Sequence, residues 1–300
     1  MDTQHSLPAL DAETEPPQPL EPDDSAHPLE ALAHAGDAAA QEWLGAHYHD
    51  RGDFAQAARW YRKAADQGSS GAQYNLGWLC YHGKGVAQDD ARALALWQQA
   101  ADAGLARAMT GIGFLFEQGR GLPRSDAEAV AWYRRAAEAG DPAGQCNLGT
   151  FYASGRGVDR DLKRAAAAFE DAARQGHREA CYRLGQLLAG EGLGHSAAEK
   201  AVAWLRKAAD MEHPAAQYEL ARLLALGHGV AQDHAQAAAW YQRAAEHGDA
   251  QAQFALGVLY YSGVGKPKDP DKALHWWRQA AAQGEQRSQH NLDALARGAK

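Results

Sequence analysis

Fourteen histidines and three cysteines are the residues of this 300-residue chain whose side chains could serve catalysis or metal binding. Their spacing favours neither role. His47 and His49 lie two residues apart on a predicted helix, so their rings point to different faces. The chain has no His-Glu-x-x-His and no Cys-x-x-Cys pattern. We therefore interpret the histidines as solvated polar residues, and we expect neither a metal site nor a cofactor.

Cys80 and His82 together suggest a thiol nucleophile beside a base. Cys80, however, occupies a position that holds a large apolar residue in the other segments of the chain, so we expect a buried, inert thiol. The Gly83-Lys84-Gly85 loop resembles a phosphate-binding loop only in its glycines, because no predicted strand precedes it and no Gly-Lys-Ser/Thr follows. With no catalytic constellation in the sequence, we predict that the protein is not an enzyme.

The elements that carry these residues repeat along the chain. A glycine recurs every 36 residues, with Glu212 at one of the expected positions. An Ala-Ala pair precedes each such position, and a small residue follows nine residues later, except after Gly284, where Asp293 takes that place. A period of this length indicates an array of structural repeats rather than one globular core. The glycines are Gly68, Gly104, Gly140, Gly176, Gly248 and Gly284.

Each repeat is predicted to contain two helices. In the repeat 69–104, Ala72, Leu76, Leu79 and Cys80 fall on one side of a first helix. The second helix begins after Asp89, whose carboxylate is a good N-cap. Equivalent N-caps are Asp53, Ser125, Asp161, Asp233 and Asp269, and polar residues that start first helices are Asp37, Ser69, Asp141 and Asp249.

Two recurrent positions predict how the helices pack. A residue without a side chain allows close approach of a neighbouring helix, and the spacing places the tryptophans in the core. The small residues are Gly77, Gly113, Gly149, Gly185, Ala221 and Gly257. The tryptophans of the second helices are Trp60, Trp132, Trp204, Trp240 and Trp276.

The predicted fold class is all-α, an α-α solenoid of about seven two-helix repeats with half-repeat caps. Its span is residues 28–297, with an N-terminal cap at 28–36 and a capping helix at 285–297. A softer joint is predicted at 189–198, where the glycines fall out of register. The seven repeats are predicted at about 37–68, 69–104, 105–140, 141–176, 177–212, 213–248 and 249–284.

Residues 1–27 differ in composition from the rest of the chain. They contain five prolines, seven acidic residues and no Lys or Arg, so we expect a disordered acidic arm that acts as a tether or competes for basic surfaces. The remaining 31 acidic and 30 basic residues nearly balance, which argues against a nucleic-acid partner. Without an apolar leader, a membrane span or paired cysteines, we predict a cytoplasmic protein with no membrane insertion.

The side of the first helices opposite the core is the candidate binding surface, because this layer usually lines the concave face of helical-repeat solenoids. Aromatic side chains beside amide and Arg groups suit recognition of a protein or peptide. The alternative is that these aromatics fill gaps between adjacent helices. The candidate residues are Trp43, Asn75, Trp78, His82, Phe114, Asn147, Arg183, Gln186 and Arg222.

The motif that recurs in each repeat resembles that of the Sel-one-like repeat (SLR) family, relatives of the tetratricopeptide-repeat (TPR) solenoids. The residues that carry the resemblance are Ala72 to Gly77, Tyr81, Gly83 to Val86, Asp89 and Ala100 to Gly104, and they recur from Gln217 and from Gln253. The resemblance implies a right-handed α-α superhelix and a non-catalytic scaffold or adaptor in bacterial signalling or envelope processes. A secreted branch of the family, linked to β-lactam binding or hydrolysis, suggests a hydrolase or binder of β-lactam or peptidoglycan-type substrates as the alternative. This chain lacks that branch's regular cysteine pairs.

Overall fold

A computed structural model describes residues 28–190 and 195–298, which form sixteen α-helices and no strand. The predicted acidic arm and the centre of the predicted softer joint lie outside these residues. The helices are α1 Pro28–Ala35, α2 Ala38–Asp50, α3 Phe54–Asp66, α4 Ser70–His82, α5 Asp90–Asp102, α6 Ala106–Gln118, α7 Asp126–Glu138, α8 Pro142–Ser154, α9 Leu162–Arg174, α10 Arg178–Leu188, α11 His195–Asp210, α12 Pro214–Leu226, α13 His234–Glu246, α14 Ala250–Ser262, α15 Pro270–Ala282 and α16 Gln286–Gly298.

The chain divides into two compact units, with the boundary near the end of α9, at Ala172 and Ala173. In the first unit, α2 packs on α3, α4 on α5 and α6 on α7, and each pair packs on the helix that follows. In the second unit, α10 packs on α11, α12 on α13 and α14 on α15, while α16 packs on α15. All-helical pairs stacked in sequence are the architecture of an α-solenoid.

Polar side chains begin the helices where the sequence predicts them. Asp89 Oδ1 accepts a hydrogen bond from the backbone N–H of Arg92 at 2.9 Å, and Ser69 Oγ accepts from Ala72 at 3.1 Å. Such a bond satisfies one of the orphan N–H groups at the helix start and contributes about 1 kcal/mol. The other predicted caps confirmed in this way are Asp37, Asp53, Ser125, Asp141, Asp161, Asp233, Asp249 and Asp269.

In six of the seven repeats, a glycine of the first helix lies against a large side chain of the second helix. A Cβ added to Gly77 would be 2.5 Å from Nε1 of Trp97, a ring that is fully buried. The prediction of close approach at these positions is thus confirmed. The same contact joins Gly45 to Tyr61, Gly113 to Tyr133, Gly149 to Phe169, Gly185 to Leu205 and Gly257 to Trp277.

The prediction that the recurrent tryptophans are core residues is wrong for most of them. Trp60 is buried, but Trp132, Trp204, Trp240 and Trp276 are partly exposed. The residue after each tryptophan is the one that fills the core, because one residue turns the helix face by about 100°. A basic side chain covers several of the partly exposed rings: Arg135 over Trp132, Lys207 over Trp204 and Arg243 over Trp240.

The recurrent glycine that ends each second helix has a positive φ, between 84° and 106°. Glu212 takes the same place between α11 and α12 with φ 60°, and it is the one non-glycine residue with positive φ in the described part of the chain. A side chain raises the energy of this conformation by about 1 kcal/mol. The turn between α11 and α12 therefore has the same backbone conformation as the glycine turns, at the cost of strain at Glu212.

We expect Glu212→Gly to raise the free energy of unfolding by about 0.5–1 kcal/mol, because glycine removes the strain but adds entropy to the unfolded chain. Urea denaturation followed by circular dichroism measures the change. Glu246→Gly is the control, since Glu246 has helical geometry in α13, and there glycine should destabilise. A Glu212→Gly protein less stable than the parent would contradict the interpretation.

Candidate functional site

Two tryptophans of the first unit remain partly exposed on the predicted binding side. Trp43 lies on α2 and Trp78 on α4, and each stacks against a histidine one turn later. The ring centroids of Trp43 and His47 are 5.4 Å apart, and those of Trp78 and His82 are 4.0 Å apart. We call Trp43, His47, Trp78 and His82 the Trp-His surface.

Side chains from three other elements support Trp78. The ring of His49 lies 5.1 Å from Trp78 and 5.2 Å from Phe54, whose ring belongs to α3. Lys84, exposed in the loop after α4, places Nζ 4.9 Å from the Trp78 ring and 5.0 Å from Phe54. His82 Nδ1 is 2.9 Å from the carbonyl oxygen of Trp78. The indole is therefore held in one orientation with a cation beside its face.

His49 differs from the solvated histidine that the sequence predicts. Its ring is half-buried among Phe54, Tyr61 and Trp78. Burial lowers the pKa of His49 and outweighs the raising effect of Asp50. As predicted, His47 and His49 face different neighbours. His49 and Lys84 are members of the site that the sequence analysis missed, because their link to Trp78 depends on how α2, α3 and α4 meet.

Phe114 is a correction to the candidate surface. Its side chain is only 2% exposed, so the prediction of an accessible aromatic at this position is wrong. The ring centroid lies 5.9 Å from that of Tyr81. Phe114 thus packs between repeats, which is the alternative role that the sequence left open. Trp43 and Trp78 also touch the core, but both keep an accessible part.

Asn75 and Asn147 are partly exposed on α4 and α8, two repeats apart in the first unit. Asn75 lies one helical turn before Trp78 on the same side of α4. The repeat between them has Gly111 at the equivalent position, where a Cβ would be 2.9 Å from the Trp97 ring. The two amide groups are therefore separated by a repeat that has no polar side chain at this position, because Gly111 packs directly against the Trp97 ring.

In the second unit the candidate residues already have local partners. Arg183 Nε donates to Glu179 Oε1 at 2.6 Å, and Gln186 Nε2 donates to the Tyr182 hydroxyl at 3.1 Å. Arg222 Nε donates to Glu219 Oε2 at 2.9 Å. A ligand of these side chains would compete with bonds made within one helix.

Glu179 connects two consecutive first helices of the second unit. His213 Nδ1 accepts from the backbone N–H of Ala216 as the N-cap of α12, so its proton lies on Nε2, which is 2.8 Å from Glu179 Oε2. Burial alone would raise the pKa of Glu179. The hydrogen bond from His213 and the charge of Arg183 outweigh burial and lower the pKa from 4.5 to about 2.

The folded-state pKa of Glu179 lies below the unfolded value, so its ionised form stabilises the fold above pH 4.5, and that contribution is lost as the pH falls toward about 2. We expect the free energy of unfolding of the parent to exceed that of Glu179→Gln near pH 6, and the difference to shrink below pH 4.5. Denaturation at a series of pH values measures it.

Asp210→Asn serves as the control for Glu179→Gln, because Asp210 is an exposed carboxylate at the end of the neighbouring helix α11. Its effect should be small throughout. A difference between parent and Glu179→Gln that stays constant down to pH 2 would contradict the paired state of Glu179.

Ion pairs that the sequence did not predict join consecutive repeats of the first unit. Arg120, in a Gly-x-Gly loop, donates from Nη2 and Nε to the two carboxylate oxygens of Asp90 at 2.6 and 3.0 Å. Arg156 pairs in the same way with Asp126, at 2.9 and 3.2 Å, and lowers the pKa of that carboxyl mainly through the hydrogen bond. Each pair spans 30 residues, and planar two-point pairing makes it specific.

The cysteines lie in the core and not at a reactive site. Cys80 and Cys181 are buried and free, and burial raises the pKa of both thiols, as the sequence predicts for core residues. Within residues 28–190 and 195–298, no three His, Cys, Asp or Glu side chains are grouped to hold a metal ion. No helix in that part of the chain has the length and hydropathy needed to cross a membrane.

The paired helices, the glycine contacts and the periodic caps define a TPR-like α-solenoid of tandem repeats. The Sel1 repeat profile matches seven consecutive segments, and the chain belongs to this family. Sel1 repeat proteins generally act as scaffolds for protein–protein interaction. The matched segments are residues 38–69, 70–105, 106–141, 142–177, 178–213, 214–249 and 250–285.

Solved structures with this fold resemble the chain along most of its length. A protective antigen of uropathogenic Escherichia coli strains, c5321, which displays an SLR fold, has 36% identity and a TM-score of 0.80. The match covers 89% of this chain and 58% of the antigen, so the chain spans little more than half of that protein. A Sel1 repeat protein from Oxalobacter formigenes has 34% identity and a TM-score of 0.70, over 89% of this chain and 78% of that one.

One curated relative is similar over a short stretch. DAP3-binding cell death enhancer 1 of Rattus norvegicus is 33% identical over 82 residues, which is 27% of this chain and 16% of the rat protein. The similarity covers about two repeats.

Proposed function

We propose that the protein is a non-catalytic scaffold that binds a segment of a protein partner on the Trp-His surface of its first unit. The observation that carries the proposal is the pair of partly exposed tryptophans, each held by a histidine one turn away. Rigid, partly exposed indoles are the side chains that most often anchor a bound protein. The family's general role as an interaction scaffold supports the same conclusion.

The surroundings of Trp78 indicate what kind of segment fits. Lys84 and Asn75 supply polar groups beside the indole. A partner segment with an apolar or aromatic side chain for Trp78 and a backbone or acidic group for Lys84 suits this arrangement. Asn147 extends the same side of the unit, whereas Arg183, Gln186 and Arg222 would act, if at all, in the second unit.

A bacterial signalling or envelope role and a cytoplasmic location remain predictions from the sequence. The described residues do not support the β-lactam alternative: the three cysteines are buried, and no three His, Cys, Asp or Glu side chains in residues 28–190 and 195–298 are grouped to hold a metal ion. The proposal therefore assigns recognition, and not hydrolysis, to this fold.

The test selects random twelve-residue peptides on the full chain by phage display and then measures their affinity by fluorescence polarisation. We expect peptides whose binding weakens at least tenfold in Trp78→Ala and in Lys84→Glu, which corresponds to about 1.4 kcal/mol. Lys84 is exposed and its Nζ lies on the ring faces of Trp78 and Phe54, so its replacement removes less buried surface than loss of the tryptophan.

Trp132→Ala is the matched control, since Trp132 is a partly exposed tryptophan of the same unit that lies on a second helix beneath Arg135. Peptides that lose affinity in Trp132→Ala but not in the Trp78 and Lys84 variants would contradict the assignment of the site. Circular dichroism of each variant checks that the helices remain folded.

A further inference from the structure

The outer side of α3 carries basic groups without acidic partners. Arg59, Arg62 and Lys63 are exposed, and Lys63 Nζ lies 4.0 Å above the Trp60 ring. None of the three forms an ion pair with another described residue. Asp66 is the carboxylate that lines the same shallow depression. We call Arg59, Trp60, Arg62 and Lys63 the Arg59 face.

This face is the most positive among the second helices of the described repeats. Counting Lys and Arg against Asp and Glu, α3 has a net charge of +2, because its three basic residues are opposed by Asp66 alone. α7, which has the same Trp-Tyr-Arg-basic sequence from Trp132 to Arg135, has a net charge of −1. The other second helices, α5, α9, α11, α13 and α15, have net charges between −1 and +1.

The acidic end of the chain is attached next to the Arg59 face. The ring of His34, on α1, meets the ring of Trp60 edge-on with centroids 5.0 Å apart. Pro28 begins α1 six residues earlier, about 9 Å along the helix axis. Residues 1–27 are therefore attached close to the three basic groups. They contain seven carboxylates and no Lys or Arg.

We propose that the acidic segment of residues 1–27 binds the Arg59 face of α3 in the same chain. Attachment through α1 gives the segment a high effective concentration at that face, in the millimolar range for short connections. Its carboxylates neutralise Arg59, Arg62 and Lys63, which the folded repeats leave unpaired. The segment thereby acts as an intramolecular competitor that keeps other acidic molecules away from α3. The Arg59 face shares no residue with the Trp-His surface of the proposed function.

The test uses the full chain with a nitroxide label on Ala12→Cys and reads the broadening of amide signals by NMR. The native Cys80, Cys146 and Cys181 are buried, so the introduced thiol reacts selectively. We expect broadening of α3 signals at about 20 mM salt, and its loss at about 0.5 M salt, where charges are screened beyond a few ångströms. Proximity through α1 alone would give broadening that salt does not change.

Charge reversal then identifies the binding face. Arg59→Glu with Arg62→Glu should reduce α3 broadening to its high-salt level, and adding Glu13→Lys with Glu15→Lys should restore it. The matched control, Arg134→Glu with Arg135→Glu on α7, should leave α3 broadening unchanged. Neutral replacements, Arg59→Gln with Arg62→Gln, should give a partial loss if the reversed variant folds poorly.

Three results would overturn the proposal. One is broadening of α3 that neither salt nor charge reversal changes. Another is broadening centred on the Trp-His surface around Trp78, which would assign the acidic segment to that site. The third is equal broadening of α3 and α7 signals, which would mean that the segment has no preferred face.

Discussion

The contact between a large side chain of the second helix and a glycine of the first helix, present in six of the seven repeats, is the constraint on which the rest of the structure depends. Trp97 over Gly77 is the plainest case, because the ring is fully buried and its Nε1 donates to the carbonyl oxygen of Tyr74 at 3.0 Å. Losing a ring of this kind typically costs about 3–5 kcal/mol. The contact sets the distance between the two helices of a repeat, and it thereby determines which of their side chains are buried and which face outward.

Periodicity made much of the fold predictable. Asp89 and the other caps, the glycine positions and the buried Cys80 follow from local rules that act within a few residues. The sequence could not tell Trp132 from Tyr133 as the core residue of α7, because both fit a helical stripe within one residue. The ion pair of Arg120 with Asp90 was also invisible, since it joins residues 30 apart whose proximity depends on repeat stacking.

The residues of the candidate surface could be predicted only in part, because their exposure depends on how the repeats stack. The spacing placed Trp43, Trp78 and Phe114 on one side of the first helices, yet only the tryptophans keep an accessible part. Phe114 is buried because Tyr81 of the preceding repeat packs against it. Lys84 lies beside the Trp78 ring, although the sequence assigned no binding role to its loop. The first unit thus has an aromatic surface on its first helices and a cationic surface on α3, which suit different ligands.

The most direct test of the central contact is the coupling energy between Gly257 and Trp277 in a double-mutant cycle of Gly257→Ala and Trp277→Ala, measured by urea denaturation. A Cβ at Gly257 would be 2.4 Å from Nε1 of Trp277, so the alanine should cost about 1–3 kcal/mol with the ring present and much less without it. We predict a coupling energy of about 1 kcal/mol or more. Additive effects, within about 0.5 kcal/mol, would show that the ring does not depend on the glycine and would contradict it.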